Sequence, residues 1–152
     1  MKKAVWSMVV VLAVVFGAAY VVQAAPLDDA KTLAEKSAAY VKANGKEKGI
    51  AEIANPKGQF VKGDLYVTLQ DFNGIALANP MNPKLHGQNH LELKDATGKT
   101  FIKENIEVAK TKGSGWVTYS WTNPATKKIQ AKKAWVQRVE GTDMYTMSGV
   151  FQ

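Results

Sequence analysis

The chain has 152 residues, a formal charge of +7 and no cysteine. Without thiols there is no disulfide framework and no thiolate chemistry. The basic residues are scattered rather than blocked, which fits a solvated surface and argues against a nucleic-acid partner.

Lys2 and Lys3 precede an uncharged apolar run, Ala4–Val22, and Val22-Gln23-Ala24 offers small residues for a cut. Residues 1–24 therefore read as a secretory signal peptide, which places the protein in the periplasm. The run is long for such a segment, so contact with the membrane is expected only if it stays uncleaved. Residues 25–152 are enough for one domain with one real core.

Leu27–Asn44 has helical periodicity, with Asp28 and Asp29 in the first turn and Asn44-Gly45 as a stop. Its small apolar residues suit close packing on a sheet. A short helix is expected over Glu47–Ala54, ending before Pro56. From Leu65 the period changes to two: Leu65, Val67 and Leu69 alternate with Tyr66, Thr68 and Gln70. Asp71-Phe72-Asn73-Gly74 turns the chain into a second strand carrying Ile75 and Leu77. Asn79–Asp95 is a long connection of the kind that carries function. A helix over Phe101–Lys110 and strands over Trp116–Thr122, Ile129–Glu140 and Asp143–Phe151 complete the order. The expected class is α+β, with a five-stranded antiparallel sheet against a long N-terminal helix.

Gly115–Val136 holds three of the four tryptophans, with Lys132 and Lys133 beside them. Closing Asn123–Lys128 symmetrically pairs Trp121 with Gln130, Tyr119 with Lys132, Val117 with Ala134 and Trp116 with Trp135. A two-residue type II′ turn at Gly141-Thr142 pairs Val136 with Met147 and Ala134 with Gly149. Tyr119, Trp121 and Lys132 then share a face with two bare positions, Ala134 and Gly149, and Trp116 and Trp135 lie on the other. Rings and a cation around a bare floor make a concavity in which Lys132 and the Tyr119 hydroxyl hold a carboxylate. Each feature alone has a plainer reading: strand aromatics pack in cores, strand lysines guard edges and a strand glycine marks a bulge.

The ordered set of motifs resembles the single Cache domain of the sCache_2 type, the extracytoplasmic sensor module of chemoreceptors and sensor kinases. Its carriers are Asp64-Leu65-Tyr66-Val67 with Asp71-Phe72-Asn73-Gly74, Asn79-Pro80, and Asn82–Asn89. Further carriers are Asp95–Phe101, Gly113–Trp121 with Asn123-Pro124, Lys132–Val139 and Gly149-Val150-Phe151. The resemblance implies a PAS-like five-stranded sheet with the long helix across its back. It also implies a pocket for a short organic acid or similar metabolite, between the sheet and a loop-helix segment. Tyr119, Trp121, Lys132 and Trp135 fall on positions that line or support that pocket. Asn79 stands where the family often has His, and Trp135 where it often has Tyr. Relatives usually continue through a membrane helix into a signalling module, whereas this chain stops at Gln152. The expectation is a free-standing sensor module with a membrane-bound sensor as partner; the alternative is an accessory envelope protein with a vestigial pocket.

No cofactor, metal or catalysis is expected. His86 and His90 are four apart, but Pro83 and Gly87 disfavour the helix that would make them chelate, and no third ligand is apparent. Asp71, Asn73 and Gly74 echo a calcium loop without its later ligands. No phosphate loop, G-x-S-x-G or H-E-x-x-H motif occurs.

Overall fold

The computed structural model describes residues 26–152; residues 1–24, the expected signal peptide, lie outside them. Helix α1 spans Leu27–Asn44 and buries Leu33 and Val41 with the small residues Ala30, Ala34, Ser37 and Ala38. That stripe lets the backbone come close enough for the Thr146 hydroxyl to donate to the Ala34 carbonyl at 2.9 Å. Gly45, at φ 85°, ends the helix and starts α2, Lys46–Ala54. Gly49 of α2 leaves room for Val41, since a Cβ there would lie 2.8 Å from the valine Cγ2.

The strands are β1 Val61–Lys62, β2 Leu65–Asp71, β3 Ala76–Ala78, β4 Ser114–Thr122, β5 Ile129–Arg138 and β6 Met144–Phe151. A third helix, α3, covers Phe101–Thr111. The sheet runs β1-β2-β6-β5-β4, with β3 also on β2. All pairings are antiparallel, as expected. Among the described residues there are six strands rather than five, because β1 and β3 share one edge of β2 at opposite ends. Two-residue β1 is too short to show any alternation in the sequence.

The registers anticipated for the last three strands hold at every pair named: Tyr119 faces Lys132, Val117 faces Ala134 and Ala134 faces Gly149. The β5–β6 turn differs in detail. The Thr142 N–H donates to the Val139 carbonyl at 3.2 Å, so Gly141 is the second central residue of that turn, not the first. Its φ of 75° suits that position. The register is unchanged because the connection keeps its length.

Every residue of β6 is buried, since both sheet faces are covered. On the back, α1 and α2 pack on Leu65, Val67, Leu69 and Val150. On the front, α3 packs on Val117, Ala134, Val136 and Met147. The β2–β3 turn is organised by Asp71, whose Oδ1 accepts from the Asn73 and Ile75 N–H groups at 2.9 Å each. The connection from β3 to α3 is tied to the exposed edge of β4. Asp95 Oδ2 accepts from the Ser120 N–H at 2.8 Å, and Lys99 Nζ donates to the Thr118 carbonyl at 2.6 Å. An open strand edge is thereby covered. Hydrogen bonds from the Thr97 hydroxyl first, and then the Ser120 N–H, hold the Asp95 carboxyl far below the usual carboxylate range. Asp95→Asn keeps an acceptor for Thr97 but presents an amide to Ser120. It should cost about 1 kcal/mol and speed amide exchange at Ser120, read by melting and hydrogen exchange.

Candidate ligand cavity

The tie at Asp95 holds the loop and α3 over the front of the sheet and leaves a cavity between them. Its walls are Tyr66, Thr68 and Gln70 of β2, Ala76 and Ala78 of β3 with Asn79, and Leu85, His90 and Leu93 of the loop. Phe101 and Ile102 of α3, Tyr119 and Trp121 of β4, Lys132 of β5 and Met147 of β6 close it. The cavity volume is about 30 Å³. One ordered water needs about 10–15 Å³, so the cavity takes a group of a few heavy atoms. A wider vestibule of about 380 Å³ lies outside, lined by Met81, Asn82, Thr122, Pro124 and Lys127. Tyr66, Asn79, Leu85 and Trp121 border both spaces and form the neck.

One wall is an aromatic stack. Phe101, the first residue of α3, lies flat on Tyr119 with centroids 4.2 Å apart and planes 3° apart, and meets Trp121 edge-on at 5.6 Å. Lys132 reaches in from the opposite strand and is 2% exposed. Its Nζ sits 3.8 Å from the Tyr66 ring centroid and 4.8 Å from that of Phe151. It has no ion pair among the described residues. Burial pushes its pKa down from 10.5 to about 7. Burial raises the phenols of Tyr66 and Tyr119 and lowers His90, so these three are neutral near pH 7. Among the described residues no carboxylate lines the cavity. Asn79 spends its side-chain carbonyl on the Met81 and Asn82 N–H groups, at 3.0 and 3.1 Å. That leaves its Nδ2 amide as a donor at the neck. The arrangement is rich in donors and contains one cation without a counter-ion, which is what an anion requires.

Of the six residues singled out in the sequence, Tyr119, Trp121, Lys132 and Asn79 line this cavity. Trp135 and Gly149 do not. Trp135 lies on the back face, as the register arithmetic had it. It packs edge-on against Trp116 at 5.1 Å and lies beneath Lys31 Nζ at 4.7 Å. Gly149 gives no open floor, because the strands close in until a Cβ there would be 2.7 Å from the Cα and Cβ of Ala134. His86 is also accounted for, its Nε2 accepting from the Asn79 N–H at 2.7 Å. Among the described residues no three potential metal ligands gather.

The residues overlooked are chiefly Tyr66, Thr68, Gln70 and Phe101. On β2 the polar alternate face reads as solvent-facing, yet Tyr66 is 2% and Gln70 9% exposed. A bulky phenol alternating with Thr and Gln was the available signal.

Comparison with known proteins decides the family. The sequence model of Single Cache domain 2 matches residues 22–152. The chain belongs to this Cache family. Over 88 residues, 58% of the chain, this Cache domain is 32% identical to the sensor histidine kinase MctS of Rhizobium johnstonii. Over an equal span it is 27% identical to the methyl-accepting chemotaxis protein McpP of Pseudomonas putida. The aligned part is 19% of the first and 16% of the second, so the chain spans less than a fifth of either. A methyl-accepting chemotaxis protein from Vibrio parahaemolyticus has a similar structure, with TM-score 0.68, 22% identity and 82% and 86% of the two chains covered. A Cache chemosensory domain described for carboxylic acid recognition superposes with TM-score 0.65 and 24% identity, covering 82% and 87%. These likenesses establish the Cache fold.

Proposed function

We propose that this Cache domain is an extracytoplasmic sensor module that binds a short organic acid and relays occupancy to a membrane-bound sensor partner. The observation that carries the reading is Lys132. A desolvated ammonium over two aromatic rings, with no ion pair among the described residues, is unfavourable in the empty domain, and a small carboxylate supplies the missing charge. Tyr66, Tyr119 and Asn79 line the same cavity and carry hydrogen-bond donors. The small cavity favours a short acid, with Trp121 and Phe101 packing on its apolar part. Resemblance to sensor kinases and chemoreceptors, together with the leader-like residues 1–24, supports a site of action outside the cytoplasm.

A thermal-shift series with acetate, propionate, pyruvate and butyrate tests this. An acid present at 100 times its Kd should add about 2.7 kcal/mol of stability. If no acid in the series raises the melting temperature, the carboxylate reading is lost and an accessory role with a vestigial pocket takes its place.

A further inference from the structure

The cavity has two polar ends, and the carboxylate uses only one of them. Tyr66 stands at the neck, and the Lys132 ammonium over its ring marks the outer end. Thr68 and Gln70 follow on the same face of β2, deeper in the cavity and absent from the vestibule. At about 3.4 Å per strand residue, Thr68 is about 7 Å beyond Tyr66, roughly the length of a short acid. The Thr68 Oγ1 is buried and has no hydrogen-bond partner. The Gln70 amide is held in one orientation, because the Tyr145 hydroxyl donates to its Oε1. That leaves its Nε2 as the end without a protein partner among the described residues.

We infer that the deep end recognises a second oxygen at the far end of the ligand, so that the domain selects short acids with a terminal hydroxyl or carbonyl over plain alkanoates. The inference rests on the carboxylate reading above and refines it. An alkyl tail would strip water from Thr68 Oγ1 and Gln70 Nε2 and return nothing, a cost that polar sites use to reject analogues. A ligand hydroxyl accepts from Gln70 Nε2 and donates to Thr68 Oγ1. A ligand carbonyl accepts from both.

The test compares propionate with 3-hydroxypropionate, 3-oxopropionate and lactate, whose hydroxyl adjoins the carboxylate, by titration calorimetry on the wild-type protein, Thr68→Val and Thr68→Ser. Valine keeps the shape and favours a strand; serine keeps the hydroxyl. At least one terminally oxygenated acid should bind wild type about tenfold or more tightly than propionate. Thr68→Val should erase that preference by weakening the oxygenated acid, and Thr68→Ser should preserve it. Equal affinity for propionate and all three derivatives overturns the inference and leaves the carboxylate reading standing. So does a preference that survives Thr68→Val. Absence of binding by all four acids overturns the inference, and absence of binding by acetate and butyrate as well removes the carboxylate reading with it.

Discussion

Lys132→Met should make the empty domain more stable while abolishing its response to carboxylates. The two effects have one cause. The ammonium is 2% exposed, and its aromatic neighbours at 3.8 and 4.8 Å return only part of the hydration it loses. A pKa lowered from 10.5 to about 7 shows which effect wins: the fold disfavours the charge. At about 1.4 kcal/mol per pKa unit the penalty is of the order of a few kcal/mol, and methionine fills similar volume without it. Near pH 6 the variant should therefore melt several degrees higher than wild type. Its affinity for any acid that binds wild type should fall about a hundredfold or more. A lysine serving only as packing would give a lower melting temperature and leave binding unchanged, and either result would sink the role given to it.

The same group sets a pH signature. The folded-state value lies below the unfolded one, so between pH 7 and 10.5 the unfolded chain holds a proton that the folded chain has released. Stability of the empty domain from this group therefore rises with pH through that window, with the penalty fully present below pH 7. Binding runs the other way. A bound carboxylate favours the ammonium, so association above pH 7 takes up a proton, and affinity should fall by up to about tenfold per pH unit. Tyr66 and Tyr119 are raised and His90 lowered, so none of them changes charge near neutral pH to mask the effect. Calorimetry in two buffers of different ionisation enthalpy reads that proton directly.

Much of this geometry was legible because it rests on local rules. Helix α1 was readable to its last residue, since small apolar spacing, two early aspartates and a glycine stop all agree. The register of β4, β5 and β6 followed from loop lengths, and it brought Lys132 opposite Tyr119 correctly. What escaped reading depends on contacts distant in sequence. The Asp95 tie to Ser120 spans 25 residues, and nothing local distinguishes that aspartate from one in an ordinary turn. The polar face of β2 looks solvated until the loop and α3 cover it, which only the folded chain does. Trp135 shows the reverse error. Alternation placed it on the back of the sheet, and resemblance alone had brought it to the pocket.

Gly149→Ala should destabilise the whole domain by about 3 kcal/mol, lowering the melting temperature by about 10 °C. The reason is packing between backbones, not the conformational freedom of glycine. Gly149 does not have positive φ, so alanine is compatible with its local backbone, and a shift in unfolded-state entropy would slightly favour it. The added Cβ would instead lie 2.7 Å from the Cα of Ala134 and 2.7 Å from the Lys133 carbonyl oxygen. These are main-chain atoms of the neighbouring strand and cannot rotate away. The central strands β5 and β6 must separate, and Lys132, two residues from Ala134 on β5, must move with them. Loss of acid affinity should therefore accompany loss of stability, unlike Lys132→Met, in which the two diverge. Adding Ala134→Gly removes one of the contacts, the Ala134 Cβ at 2.7 Å, but neither backbone contact, so the double variant should recover only part of the loss. A melting temperature for Gly149→Ala within 2 °C of wild type would mean that the strands have slack, and that the bare position is an open floor after all.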